Sequence, residues 1–360
     1  MRFAFTDQQI EFRDAVRQVL ARECTVDDLR AAFDAPAARS PRWATLAELG
    51  VVGLSVPEDR GGLGLGLVDL VPLLEEAGRV ALPEPLLETA ALAAPLLAEL
   101  AGAGPDGAAD VGPWLSGIAG GRVAAAVAGV ARAAAGAGGP SDLGPVAGAD
   151  GADLYVLSLD GAPDGLELHA VGADRVAVTP VPSLDPTRRL GITQWEPCPE
   201  TRLASGPDAL SAIRRTADRA AVATAAQLLG LSERMITMTA EYAKARQQFG
   251  RPIGSFQAVK HLLAGAQVKL EFARPVVYAA AWSLDEGEPG GSRSASVAKA
   301  YASDAAAESA RVALQIHGAI GYTWECDLHL FLKRAWALCE AWGSAADHRQ
   351  RVLASLTDRV

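Results

Sequence analysis

Residues 242–261 read Tyr-Ala-Lys-Ala-Arg-Gln-Gln-Phe-Gly-Arg-Pro-Ile-Gly-Ser-Phe-Gln-Ala-Val-Lys-His, a helix end carrying Arg246, a Gly-Arg-Pro break and a new helix starting near Ser255. The Arg246 guanidinium is a rigid fork that suits a pyrophosphate, and the Phe249 ring beside it offers a stacking surface. A structural salt bridge for Arg246 is equally open on chemistry alone. Two other stretches look chemical and are read as structural. Gly61-Gly62-Leu63-Gly64-Leu65-Gly66 has helices on both sides and lacks the strand and Lys-Ser/Thr that a phosphate loop needs. Tyr322–Asp327 has the wrong ligand spacing for a metal and is expected to cap a helix.

The elements that must hold these groups follow from periodicity. Thr6 and Gln9 form a capping box ahead of apolar residues at helical spacing, which predicts a helix over residues 7–23. Further helices are expected at Trp43–Leu49, 67–80 and 84–103, with 51–62 a connector. Residues 104–150 are rich in Gly, Ala and Pro. Short β-prone runs follow at Leu154–Leu159, Leu166–Val171, Val176–Val181 and Gly191–Trp195. From 207 onward, helical runs broken at Gly250-Arg251-Pro252, Glu286–Ser292 and Gly318–Tyr322 predict four or five long helices. The expected fold is α+β and multidomain: an N-terminal helical domain (1–115), a small middle β domain (116–205) and a C-terminal antiparallel four-helix bundle (206–360).

Two motifs in this order resemble the flavin-contacting signatures of acyl-CoA dehydrogenases. They are Tyr-Ala-x-x-Arg-x-Gln-Phe-Gly-x-Pro-Ile-x-x-Phe-Gln-Ala-x-x-His at 242–261 and Gln315-Ile316-His317-Gly318-Ala319-Ile320-Gly321-Tyr322-Thr323. Leu49–Gly64 and Asp185-Pro186-Thr187-Arg188 are similar to two further family segments. The resemblance implies an FAD enzyme that takes a proton from Cα and a hydride from Cβ of an acyl-CoA. It also implies that Arg246, Gln248, Phe249 and Gln257 contact the FAD of a neighbouring subunit, with Gln315 and Gly318 completing that cradle.

Three departures qualify the resemblance. Where the family carries its base in Glu-Gly-Thr, this chain has Trp342-Gly343-Ser344, and an indole accepts no α-proton. The family's flavin-cupping segment is not recognisable, Ala134–Asp150 being Gly-Ala-rich instead. The usual Gly-Gly is Gly318-Ala319. Asp218 is the candidate replacement base, two residues out of register when its helix is aligned through Gly230, and Glu340 and Glu241 are further candidates. His261 and His317 are read as packing or hydrogen-bonding groups. These departures resemble actinobacterial relatives in which two unlike subunits form an α2β2 tetramer sharing flavin and base, a type associated with bulky acyl groups such as steroid side chains. The expectation is therefore a hetero-oligomeric FAD-dependent subunit, with acyl-CoA as substrate and an electron-transferring flavoprotein as acceptor. The alternatives are a homo-oligomer using Asp218 and a non-catalytic scaffold.

Composition agrees with this frame. The 360 residues carry 33 basic and 43 acidic side chains, a net charge of −10 that argues against nucleic acid or anionic lipid as a partner. Apolar uncharged runs reach only about a dozen residues, short of the ~20 a membrane span needs. Four dispersed cysteines without a CxxC pair argue against a disulfide framework and a structural zinc site. With no secretory signal read at the N-terminus, a cytoplasmic protein is expected.

Overall fold

The computed structural model describes residues 4–35, 40–101, 109–130, 143–162 and 165–357. In chain order the helices are α1 (Asp7–Glu23), α2 (Val26–Asp34), α3 (Pro41–Glu48), α4 (Leu67–Arg79), α5 (Ala94–Leu100, entered through a π-helical turn at Leu87–Ala93), α6 (Gly112–Ala119), α7 (Gly206–Ala245), α8 (Gln257–Asp285), α9 (Gly291–His317), α10 (Leu328–Glu340) and α11 (Ala345–Thr357). The strands are β1 (Ala125–Ala128), β2 (Leu154–Ala162), β3 (Gly165–Gly172), β4 (Val176–Pro180), β5 (Gly191–Trp195), β6 (Arg202–Ser205), β7 (Gln247–Gln248) and β8 (Arg251–Pro252). They group into two compact units. The first comprises Met1–Arg30, Val71–Leu82 and Ala221–Val360, and the second Ala31–Leu70 and Pro83–Ala220.

The second unit holds the β structure. Its sheet has the order β1-β2-β3-β6, with β1 parallel to β2 and the other pairs antiparallel. Register is set at Ala125↔Leu154, Leu154↔Gly172 and Glu167↔Ser205. β4 and β5 form a separate antiparallel pair in which Val176 faces Trp195. Ala126, Ala128, Tyr155, Leu157 and Val171 form a core covered by Val176, Val178 and Trp195. Beside it Asp185, fully buried, accepts from the Thr187 N–H at 3.1 Å and hydroxyl at 2.6 Å, so the Asp-Pro-Thr-Arg segment is a side-chain-closed turn.

The first unit is helical. The capping box of α1 forms as expected, Thr6 Oγ1 accepting from the Gln9 N–H and Gln9 Oε1 from the Thr6 N–H at 2.8 Å. Five helices follow residue 205, and small side chains let them close: Ala295, Ala298, Ala302, Ala305 and Ala306 are all buried along α9. α4 and α7 meet backbone to backbone, because a Cβ on Gly230 would lie 1.9 Å from the Glu75 carbonyl oxygen and one on Gly78 2.1 Å from that of Gln227.

Several elements were not expected. α2 opens on a second capping box, Thr25 with Asp28, whose N–H donates to the Thr25 hydroxyl at 3.2 Å. α6 hides behind two glycines and a proline, yet Gly117 is required by packing, since a Cβ there would meet Val123 Cγ2 at 2.5 Å. β6 and the β7–β8 pair are too short to show alternation. The expectation that Tyr322–Asp327 caps a helix is corrected. Asp327 precedes α10 without a side-chain cap bond, and its carboxylate instead takes the Arg30 Nε–H at 2.7 Å, while Arg30 also donates to the Trp324 carbonyl at 2.9 Å. An arginine fork satisfies a carboxylate better than a single backbone N–H. The glycine run at 61–66 is a packed turn, a Cβ on Gly62 meeting the Val56 carbonyl oxygen at 2.1 Å. Residues 131–142, most of the region where the flavin-cupping segment was sought, and residues 102 and 103 of the 84–103 helix lie outside the described residues.

Candidate functional site

α7 ends in a full turn, the Arg246 N–H donating to the Tyr242 carbonyl at 2.8 Å. The Arg246 carbonyl then receives the Ile253 N–H at 2.8 Å, closing an arm whose tip is the β7–β8 hairpin. Gln247 pairs with Pro252 and Gln248 with Arg251, leaving Phe249-Gly250 as a two-residue turn with φ of 53° and 77°. Two positive φ values match the twist of a tight hairpin, but the left-handed region costs a phenylalanine about 1–2 kcal/mol. Phe249 is also 90% exposed, so burial within the chain gives little return for that strain. Its edge meets Phe256 at 6.1 Å, and the Arg251 guanidinium lies 4.2 Å over the Phe256 ring.

The second motif closes α9. Gly318 caps the helix at φ 63°, ψ −139°, a conformation for glycine, with open space where a Cβ would be. Gln315 is exposed one turn earlier. The two motifs meet through His317 and Tyr242, whose rings stack at 4.3 Å and 16°. The His317 Nδ1–H donates to the Ala313 carbonyl at 2.8 Å. Arg246, Gln248, Phe249, Gln257, Gln315 and Gly318 thus belong to one unit and flank one stacked joint.

Among the described residues, no side-chain partner reaches Arg246, Gln248, Gln257 or Gln315, and all four are exposed. A guanidinium fork, three carboxamides, a bare phenyl ring and a glycine turn with room before it fit the adenosine diphosphate end of FAD, which needs donors for phosphate and a flat apolar face for adenine. A structural salt bridge, the other reading of Arg246, is not formed among the described residues.

The segment aligned with the family's base is held as structure. Trp342 sits at φ 59° and Gly343 at φ 99°. The buried His348 donates from Nε2 to the Trp342 carbonyl at 3.0 Å. Lys299, fully buried in α9, donates to the carbonyls of Gly343 at 3.0 Å and Cys339 at 2.9 Å. Ser344 and Asp347 cap α11 reciprocally, which holds the Asp347 carboxyl below its ordinary range. The turn offers an indole and no carboxylate. Lys299 was not singled out from sequence, where one lysine in an Ala-rich helix carries no signal. Asp218 is buried in α7 and belongs to the second unit, whereas the other six candidates belong to the first, and Glu241 and Glu340 are exposed on helix surfaces. Among the described residues no cluster of His, Cys, Asp or Glu is placed to hold a metal, and no helix is long and apolar enough to cross a membrane.

Burial holds His169, His317 and His329 below the ordinary imidazole value of 6.5, so all three fold in the neutral form. The unfolded chain takes up protons below pH 6.5 that these sites refuse. Their contribution is therefore complete above pH 6.5 and is lost as pH falls through the depressed folded values. A midpoint of thermal unfolding that declines steadily from pH 6.5 to 5 is expected in calorimetry, and a flat profile over that window would contradict it.

The N-terminal domain model of acyl-CoA dehydrogenases matches residues 6–101, and the C-terminal domain model matches residues 210–357. Acyl-CoA dehydrogenase IpdE2 of Mycobacterium tuberculosis is 34% identical over 329 residues, covering 90% of this chain and 89% of the relative. Among solved structures, the Tcur3481–Tcur3483 steroid ACAD superposes with a TM-score of 0.81 at 27% identity over 98% of both chains. The ChsE4–ChsE5 complex of Mycobacterium tuberculosis shares the fold, with a TM-score of 0.86 at 24% identity over 99% of both chains. With domain models matched towards both ends and a relative aligned over nearly its whole length, the chain belongs to the acyl-CoA dehydrogenase family.

Proposed function

We propose that this chain is one subunit of an FAD-dependent acyl-CoA dehydrogenase, an oxidoreductase acting on the CH–CH bond α,β to a thioester, and that its base comes from a second acyl-CoA dehydrogenase-like subunit. The carrying observation is a contrast. The ADP-facing side chains are exposed and uncommitted, whereas the base-aligned turn presents Trp342 and is tied down through its carbonyls by Lys299 and His348. When bound, FAD supplies the acceptor for the hydride leaving Cβ. The chain's own part is to bind and orient: Arg246 grips pyrophosphate, Phe249 offers its face to adenine, Gln248, Gln257 and Gln315 donate from their amides, and Gly318 lets backbone approach. The partner's carboxylate takes the Cα proton that Trp342 cannot. Arg246–Phe249 and Gln315–Gly318 both being kept argues against a pure scaffold.

An α2β2 arrangement and a bulky acyl group belong to this reading, supported by the steroid relative and its paired composition. Electron-transferring flavoprotein as acceptor belongs to it as what the family resemblance implies. So does the division into 1–115, 116–205 and 206–360, the last part carrying flavin and subunit contacts. The test is to purify the chain alone and with a candidate partner carrying a glutamate at the base position, then follow the flavin band on adding acyl-CoA. Bleaching only with the partner is expected. Bleaching by this chain alone would overturn the partner-supplied base, and Asp218→Asn would then show whether Asp218 serves instead. A colourless assembly would overturn the flavin reading.

A separable prediction concerns Phe249. Phe249→Gly relieves the left-handed strain while adding chain entropy to the unfolded state, for a net change of about 0–1 kcal/mol in favour of the folded apoprotein. The same variant should hold FAD several-fold more weakly, as read by flavin fluorescence on dilution. A variant that loses stability and keeps FAD would contradict both halves.

A further inference from the structure

The hairpin arm after α7 poses a positioning problem. Two residue pairs make a ladder too short to be stable by itself. Its tip is strained and exposed, and open space surrounds Gly250. In the second motif, Gly318 also has nothing within reach of a Cβ. A surface that must grip one rigid ligand from both segments needs them fixed relative to each other by something below the tips, or it binds with the added cost of ordering them.

That element is visible in the bonding path. The Gly318 N–H is held by the Leu314 carbonyl, and His317, its neighbour, is held by its own Nδ1–H on the Ala313 carbonyl at 2.8 Å. The His317 ring lies flat on Tyr242 at 4.3 Å. The Tyr242 carbonyl receives the Arg246 N–H, and the Arg246 carbonyl receives the Ile253 N–H, each at 2.8 Å. Gly254 packs against the same helix end, a Cβ there meeting the Ala243 carbonyl oxygen at 3.0 Å. We infer that His317 is a positioning residue for the ADP-binding surface: through its stack on Tyr242 it holds the arm bearing Arg246, Gln248 and Phe249 in register with the turn bearing Gln315 and Gly318. The hydrogen bond to Ala313 fixes the tilt of the ring, so the face offered to Tyr242 is set by α9. Burial, which keeps His317 neutral, leaves that face free of charge. This inference rests on the flavin reading above.

The test compares His317→Ala, His317→Phe, Tyr242→Ala and the double alanine variant in the assembled protein. Two readouts are taken: amide hydrogen exchange at Ile253 and Gly318, and the FAD dissociation constant from flavin fluorescence. Removing one stacked ring should weaken FAD about two- to ten-fold. It should also raise exchange at Ile253 and Gly318 together, although the two lie on different segments. His317→Phe, which keeps the stack, should restore most of both. The double variant should be no worse than either single one, since both remove the same contact. Exchange changes confined to each residue's own segment and additive in the double variant would overturn the inference. So would an FAD affinity indifferent to His317→Ala in a protein that binds FAD, because a merely structural histidine lowers stability without that effect. Wild-type assembly that takes up no FAD would overturn the flavin reading itself, and this inference with it.

Discussion

Gly230→Ala, the addition of one methyl group, is expected to lower the unfolding free energy by about 3 kcal/mol or more. The new Cβ would lie 1.9 Å from the Glu75 carbonyl oxygen and 2.6 Å from the Arg79 nitrogen. Both are backbone atoms of α4, so no side chain can swing aside and the helices must separate. Gly78 makes the reciprocal approach, 2.1 Å from the Gln227 carbonyl oxygen, so movement that relieves one contact disturbs the other. Gly265→Ala is the control. That residue is helical too, but nothing lies within 4 Å of its missing Cβ, and alanine there should gain about 0.5–1 kcal/mol from helix propensity. Chemical denaturation of the two variants measures the contrast, and a Gly230→Ala protein as stable as wild type would show that α4 and α7 do not pack this way.

The second large effect is expected at Arg274. Its Nε donates to Glu75 and its Nη2 to Glu233, both at 3.0 Å, while its Nη1 reaches Glu271 at 2.8 Å. Glu75 also accepts from the Tyr278 hydroxyl at 2.5 Å, and Glu233 pairs with Arg79. Arg274→Ala leaves Glu75 buried without its cation, a loss of about 3–5 kcal/mol. Arg274→Lys should recover only part of it, since an ammonium offers a point charge where three carboxylates use a fork. The deficit should depend on pH. Burial pushes the Glu75 carboxyl up, and Arg274 is the leading influence pulling it back. Without Arg274 the folded value lies further above the unfolded one, so folding is favoured at low pH and penalised as pH rises through that window. Thermal unfolding should therefore separate variant from wild type more widely at pH 8 than at pH 5.5. An equal gap at both would mean that Glu75 stays ionised without its partner.

Both predictions concern contacts that periodicity does not reveal. The apolar spacing of α1 and its Thr6–Gln9 box were legible because capping is local, three residues from donor to acceptor. The runs that became β2, β3, β4 and β5 were legible because alternation is local too. α6 was hidden because it lies in a Gly-, Ala- and Pro-rich stretch whose Gly117 answers to a neighbour, Val123. The candidate site divides in the same way. Its residue types, from Arg246 to Gly318, stand in two contiguous motifs. The Tyr242–His317 stack joins positions 75 apart in the chain, and Lys299 reaches a turn more than forty residues on.

By itself the sequence determined the helix–β–helix order, the two motifs that resemble the family's flavin-contacting signatures and the absence of a carboxylate at Trp342, since each is a matter of which residue follows which. The tertiary structure decided that Arg246 has no salt-bridge partner among the described residues, that Phe249 carries backbone strain at an exposed tip, and that the Trp342 turn is tied by a buried lysine. Composition and spacing report what a side chain is able to do. Whether a polar group is already satisfied depends on which distant backbone carbonyl or carboxylate the packed helices bring within 3 Å of it, and only the folded chain sets that distance.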